Sequence, residues 1–382
     1  MNSTTGESAT DATIDEQSDG HEHDLRVDHE TLRTWTAAVL TDCGLAADDA
    51  MIVADILVES DLRGIESHGV PRLRRLYVDR LLAGVINPKA QLTLVSERAA
   101  ALNFDAQNGI GPLMAYRAME RTIEKAKQSG VCLTTVGHSD HFGIAGYYAT
   151  MALQHPGMAG IAMTNATPLM VPTFGVEPML STAPIAAAFP GGSEDPFVLD
   201  GATTSVAWGK VEIARRMNKP LPQNLAVDEF GKATTDPFAA RALFPLGGER
   251  ESSGQKGYGL GLLVEMLCSQ LSGSLWSRDI VYSGSAYGGD HKEVRPADTS
   301  HAFIAIDIAA FRPLEEYTVS ADEMLGALRR STPAEGHEQV FVPGDPEAIA
   351  RIERLERGVT IHPQVVEELR GLGAERGIPT PF

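Results

Sequence analysis

Apolar positions change their period twice along the chain. Residues 1–25 (MNSTTGESATDATIDEQSDGHEHDL) hold seven acidic residues, no Lys or Arg and almost nothing apolar. Such a segment cannot repay the entropy of ordering, so a disordered acidic tail is expected. From Asp28 the apolar residues recur every three or four positions. Leu32, Trp35, Val39, Leu40 and Cys43 share one helical face, with Asp28 as candidate N-cap and Gly44 as stop. Ile52, Val53, Ile56 and Leu57 mark a second helix ending near Gly64. Leu73, Leu76, Tyr77 and Leu81 mark a third, from about His68 to Gly84. Residues 26–87 therefore read as a helical N-terminal region.

After Pro88 short apolar runs alternate with helical stretches. Strands are expected over 92–95, 100–104, 131–136, 160–164, 184–189, 197–199 and 302–308, and helices over 112–129, 145–153, 205–216 and 258–271. Residues 274–300 are rich in Gly, Ser and Asp and read as a long excursion. Residues 88–382 thus form a mixed α/β region, with C-terminal helices able to pack back on the N-terminal one. No internal repeat is visible.

Composition narrows the function. A net charge of −19 repels nucleic acid and anionic lipid, so neither is an expected partner. It also requires that any site for an anion carry its own local basic residues. Cys43, Cys132 and Cys268 stand at unrelated spacings, which argues against a disulfide framework and for a reducing compartment. With no apolar run of membrane-span length and an acidic, polar N-terminus, the cytoplasm is the expected location.

The common nucleotide and hydrolase signatures are missing. Gly109-Ile-Gly111-Pro-Leu-Met114 and Gly257-Tyr-Gly259-Leu-Gly261-Leu262 have Met114 and Leu262 where a dinucleotide fingerprint needs its third glycine, so the α/β region is expected to be non-Rossmann. No P-loop and no Gly-x-Ser-x-Gly elbow occurs. Two histidine clusters remain. In Ser67-His68-Gly69-Val70-Pro71-Arg72, a helix capped by Ser67 would put His68 and Arg72 on one face, with Gly64 and Gly69 leaving space for a ligand. That pairs a proton carrier with a planar carboxylate clamp, although a surface His and Arg at a helix start is the commoner situation. In Gly137-His138-Ser139-Asp140-His141-Phe142-Gly143, His138, Asp140 and His141 could be read as metal ligands. Adjacent side chains on extended backbone point apart, however, and a polar active-site loop without metal is the better reading. His21 and His23 in the tail read as solvated rather than metal-binding.

Several stretches together resemble the malate/L-lactate dehydrogenase family, which also holds sulfolactate, ureidoglycolate and diketogulonate dehydrogenases. They are SHGVPRLRRLYVDRLLAGVINP (67–88), HFGIAGYY (141–148), MTNATPLMVPTFG (163–175), DGATTSVAWGKVEIARR (200–216), TTDPFAARALFPLGG (234–248), SGQKGYGLGLLVEMLCSQLSG (253–273) and HAFIAIDI (301–308). The resemblance implies an NAD(P)-dependent enzyme interconverting a small 2-hydroxy acid and its 2-oxo acid, built as a homodimer from a helical region and a non-Rossmann cofactor domain. It implies His68 as the acid/base residue, Arg72 as the ligand of the substrate carboxylate and His141 as a second active-site imidazole, the proton carrier in some members. Cofactor contacts implied are Pro196, Phe197, Val198, Leu199, Asp200, Gly201 and Ala202, then Gln255 and Lys256, then Gly344, Asp345 and Pro346. Lys256 and Arg72 would supply the local positive charge.

Two departures stand out: Leu180-Ser181-Thr182-Ala183-Pro184 replaces the usual LGTNP, and Gly201 follows Asp200 where Met or Ala is usual. Alternatives are a cyclic imino acid reductase, a metal-dependent hydrolase built on His138, Asp140 and His141, and a binding protein without activity. Neither the particular acid nor NAD against NADP is legible.

Overall fold

The computed structural model describes residues 25–282 and 295–382. The tail expected over 1–25 lies outside them except for Leu25, as do His21, His23 and the middle of the 274–300 excursion. Strand β1 (Leu25–Val27) leads into α1 (His29–Asp42) and α2 (Ala47–Leu62). Asp28 caps α1, its side chain accepting the Thr31 N–H.

The third helix expected from about 68 to 84 is broken into four turns. Two 3₁₀ turns (Glu66–His68 and Val70–Arg72) precede a π-helical turn (Leu73–Val78) and the short α3 (Asp79–Leu82). Pro71, with no N–H to donate, interrupts the helix, and the buried Asp61 carboxylate accepts the Val70 N–H at 2.8 Å. Ser67 is not a cap; its hydroxyl meets His68 Nδ1 at 2.8 Å. Nor does Gly69 leave room for a ligand, because a Cβ there would lie 1.9 Å from Asp61 Oδ1.

The mixed α/β region continues with β2 (Thr93–Arg98), β3 (Ala101–Asp105), α4 (Gly111–Ser129), β4 (Val131–Ser139), α5 (Ala145–Met151), β5 (Met158–Thr164), β6 (Ile185–Phe189) and β7 (Phe197–Gly201). Next come α6 (Trp208–Met217), the short strands β8 (Ala226–Val227), β9 (Ala233–Thr234) and β10 (Ala242–Leu243), and α7 (Gly254–Glu265), extended by a π turn (Met266–Gln270). The chain closes with β11 (Thr299–Asp307), α8 (Leu314–Arg329), α9 (Asp345–Arg357), β12 (Val359–Ile361) and α10 (Pro363–Arg376). Helix α6 starts at Trp208 rather than 205, since the Ser205 hydroxyl is taken by the Pro245 carbonyl at 2.7 Å.

The main sheet has seven strands in the order β2-β3-β4-β11-β5-β6-β7, all antiparallel except β3 with β4. A late strand thus sits between two early ones. Alternation along β11 sorts its two faces. Phe303 and Ala305 join the large core that includes residues of α4 and α5, while Ala302 and Ile304 pack with Val264 and Cys268 of the α7 segment. Strand β1 pairs with β12, and α9 and α10 pack on α2 and α1, so the chain ends return to the helical region. Cys43, Cys132 and Cys268 are buried and free. Among the described residues, no helix is long and apolar enough to cross a membrane.

Helix α4 begins directly against the loop that follows β4. A Cβ on Gly111 would lie 2.2 Å from the carbonyl oxygens of Asp140 and His141, and backbone cannot swing away as a side chain can. Gly111→Ala is therefore expected to lower stability by about 1–3 kcal/mol, the range for overpacking. A urea unfolding midpoint equal to the parent's would show that the loop yields.

Candidate active site

Three pieces of chain converge beyond the C-terminal end of β4: the turns over 66–72, the loop 140–143 after β4, and Tyr282 on the excursion. The rings of His68 and His141 lie nearly parallel, 19° apart with centroids at 5.6 Å. Arg72 Nε donates to the Ser67 carbonyl at 2.7 Å, which ties the guanidinium to the turn that carries His68.

His141 is held on all sides. Its Nδ1 takes the Gly143 N–H at 3.3 Å and meets the Tyr77 hydroxyl at 2.9 Å. A backbone N–H can only donate, so Nδ1 is an acceptor and Nε2 carries the proton of the neutral ring. The His141 N–H donates to Asp140 Oδ1 at 2.7 Å, and Asp140 Oδ2 receives Arg80 Nη2 at 2.5 Å. The edge of Tyr282 faces His141 at 6.2 Å, and the Arg80 guanidinium lies 5.2 Å over the Tyr282 ring.

Burial and neighbouring cations keep both imidazoles neutral. Desolvation, reinforced by Arg72, pushes His68 down to about 4. His141 is held well below the ordinary value, first by burial and then by His68, Arg72, His301 and Arg80. Asp140 is raised by burial against the opposing pull of Arg80. His301 behind them is a core residue: Nδ1 meets Thr164 Oγ1 at 2.7 Å, Nε2 meets Ser139 Oγ at 2.8 Å, and the ring stacks on Phe142. Burial pushes it down to about 3.

His138, Asp140 and His141 do not share a centre. His138 Nδ1 faces Asp298 at 2.7 Å, Asp140 faces Arg80, and His141 faces Tyr77. The replaced LGTNP position has a backbone consequence. Ala183 sits at φ +39°, a region that Asn tolerates better, and its N–H donates to Ser181 Oγ at 3.1 Å.

A cleft of about 420 Å³ opens between α2, α5, β7 and α9. Pro196, Val198, Asp200 and Gly344 line it, bringing together two of the three segments expected to contact a cofactor. The Asp200 surface is still reached by solvent, yet the cleft walls crowd water away from its carboxyl and push it up to about 6, against the Gly146 N–H bond at 2.7 Å. Gly344 adopts φ +103°, and a Cβ there would lie 2.9 Å from that of Val198, so only glycine lets α9 start so close to β7. Phe197, Leu199 and Gly201 pair with β6, and Ala202 follows the strand end. Asp345 is turned inward, receiving the Val342 N–H and Arg329, with Pro346 behind it in the first turn of α9. Gln255 and Lys256 open α7 and are not among the residues lining this cleft. Gln255 Oε1 is nevertheless buried without a hydrogen-bond partner in the protein.

Sequence reading missed Arg80, Tyr282 and the role of Tyr77. Tyr77 was visible only as one residue of an apolar stripe. Arg80, three positions later on the same face, is the signal that could have exposed the pair.

A family model for malate/L-lactate dehydrogenase matches residues 27–370, and the chain belongs to that family. Malate dehydrogenase of Pyrococcus horikoshii is 38% identical over 361 residues, covering 94% of this chain and 97% of that protein. The solved structure of malate dehydrogenase from Pyrococcus horikoshii OT3 superposes with a TM-score of 0.85 at 35% identity, covering 95% of this chain and 99% of that one. L-sulfolactate dehydrogenase of Methanocaldococcus jannaschii is 37% identical over 342 residues, 89% of this chain and 94% of that protein. Ureidoglycolate dehydrogenase (NAD(+)) of Escherichia coli is 32% identical over 345 residues, 90% and 95% respectively. The non-Rossmann α/β fold with a helical N-terminal region agrees with these likenesses.

The neutral histidines set the acid limit. The unfolded chain takes up protons near pH 6.5 that folded His68 and His301 refuse until about 4 and about 3. The unfolding free energy is thus expected to fall as pH drops from about 6.5 toward 4. Urea titrations at stepped pH should show a shallower slope for His301→Gln than for the parent. Equal slopes would remove His301 from the account.

Proposed function

We propose that this chain is a dehydrogenase that interconverts a small 2-hydroxy acid and its 2-oxo acid, with NAD or NADP as hydride carrier. The observation that carries the reading is the stacked His68–His141 pair beside Arg72, held neutral in a cation-rich pocket. Names of the relatives support the reaction class, and the family to which the chain belongs supports a nicotinamide cofactor.

The nicotinamide, when bound, accepts or returns the hydride at C2 of the acid. The cleft fits such a group: the carboxyl of Asp200 and the Gly344 cradle lie together, and Pro196 to Ala202 with Gly344, Asp345 and Pro346 would hold it. Gln255, with its unpartnered buried oxygen, and Lys256 would add polar contacts from α7. Arg72 binds the substrate carboxylate. His68, half-exposed and the less strongly neutralised of the two imidazoles, takes the hydroxyl proton as the hydride leaves and returns it in reduction. His141 donates a hydrogen bond from Nε2 to the reacting oxygen. Anion binding matters to this chemistry: burial is the main reason His68 lies near 4 and Arg72 lowers it further, so a carboxylate beside Arg72 offsets the second of these and moves His68 toward the working range.

A homodimer is part of the same reading. Leu260, Leu263 and Leu271 follow one face of α7 and its π turn, and each is at least 40% exposed. The three buried thiols fit a cytoplasmic location. Light scattering at micromolar concentration should give twice the chain mass, and a monomer would overturn the dimer.

The reaction is tested by following 340 nm absorbance with NADH or NADPH against a panel of 2-oxo acids and cyclic imino acids, with and without chelator. Oxo-acid-dependent, chelator-insensitive oxidation is expected; turnover of imino acids alone would replace the reading. His68→Ala should lower kcat by about 10² to 10⁴, the usual share of general acid–base catalysis, and remove a pH inflection. Arg72→Ala should chiefly raise KM for the acid. If His68→Ala keeps its rate and pH dependence while His141→Ala loses both, the two imidazoles exchange roles.

A further inference from the structure

We propose that Arg80 is a positioning residue that fixes His141 in the active site through Asp140 and Tyr282. The inference rests on the reading of His141 as an active-site imidazole.

Stability alone gives Arg80 no reason to be where it is. Its side chain is 1% exposed, Nη2 bonds Asp140, and neither Nε nor Nη1 has a hydrogen-bond partner in the protein. A buried ion pair so incompletely satisfied is commonly matched or bettered by apolar residues of similar volume. The pair's placement supplies the reason. Asp140 uses one oxygen for Arg80 and the other for the His141 N–H. Tyr77, three residues before Arg80 and on the same helical face, bonds the His141 ring. Backbone and ring of one imidazole are therefore gripped by a single segment, and that segment starts at Arg72. The third contact closes the arrangement: the guanidinium lies over Tyr282, whose edge faces His141.

Arg80 also brings a permanent charge. The groups facing His141 are His68 and Arg72 from the 3₁₀ turns, Tyr77 from the π turn, Arg80 from α3, Asp140 beside it in the loop, His301 from β11 and Tyr282 from the excursion. His68 changes charge during the proposed reaction, whereas Arg80 does not. Its charge adds to burial, the main cause, and to His68, Arg72 and His301 in keeping His141 neutral.

The test uses Arg80→Met/Asp140→Asn, which removes both charges, leaves no unpaired ion and keeps an oxygen for the His141 N–H. Arg80→Lys serves as the charge-retaining companion and as the fallback should the double variant fail to fold. The double variant is expected to lose about tenfold or more in kcat, the scale of small misplacements in an active site, with KM for the acid within about twofold. In histidine-labelled protein, the NMR chemical shifts of the His141 ring should move in the double variant, as the ring loses its fixed placement, and stay near the parent's in Arg80→Lys. A folded double variant with parental kcat and unmoved His141 shifts overturns the proposal, and so do Arg80→Lys shifts that move as far as the double variant's. The shifts need no turnover. If the parent oxidises no cofactor with any acid, the dehydrogenase reading fails by itself, while the hold of Arg80 on His141 is still decided.

Discussion

Gathering His68, Arg72, Arg80, His141 and His301 into one poorly hydrated region sets basic side chains against each other where water cannot separate them. Two responses are open to such a cluster: some groups give up their protons, or a carboxylate compensates. Both are used. The three histidines stay neutral, and Asp140 balances Arg80. The cations of this cluster stand on a chain whose total charge is −19. Under the proposed reading, an incoming carboxylate would meet them instead of the acidic surface.

The same need explains the irregular backbone before α3. Pro71 has no N–H with which to continue a regular helix from His68, and in the turns that replace it Asp61 accepts the Val70 N–H and the Ser67 hydroxyl meets His68. Breaking the helix into 3₁₀ and π turns satisfies these groups and lets Arg72, Tyr77 and Arg80 all serve the site from one short segment. Irregular helical turns of this kind often mark function, and here the buried polar partners give the reason.

The regular elements were largely legible. Short apolar runs placed strands over 131–136, 160–164 and 302–308, which the structure extends or shifts to 131–139, 158–164 and 299–307, and α1, α2 and α4 follow from their stripes and stops. His68, Arg72 and His141 were legible as candidates because their motifs are local. The broken helix was not, since the buried Asp61 that holds the turn at Val70 acts through a side chain whose burial no periodicity reports. Arg80 was hidden for a related reason: a charged residue among apolar ones reads as solvent-facing until its partner 60 positions later is known. The shared cleft of residues 196–200 and 344 could come only from the family likeness, because β7 and α9 are brought together by tertiary packing alone.

The place of β11 bears on how the chain is made. Strands β2 to β4 and β5 to β7 are complete once residue 201 has left the ribosome, but the strand that joins the two half-sheets ends at residue 307. Until then β4 and β5 each present a row of unpaired backbone groups, an invitation to the edge of another nascent chain. Closing the sheet must also bring together segments some 140 to 175 residues apart, a slow search for any polypeptide. Assembly of the sheet therefore waits for residue 307, and loss of residues 299–307 would leave two open half-sheets in search of partners.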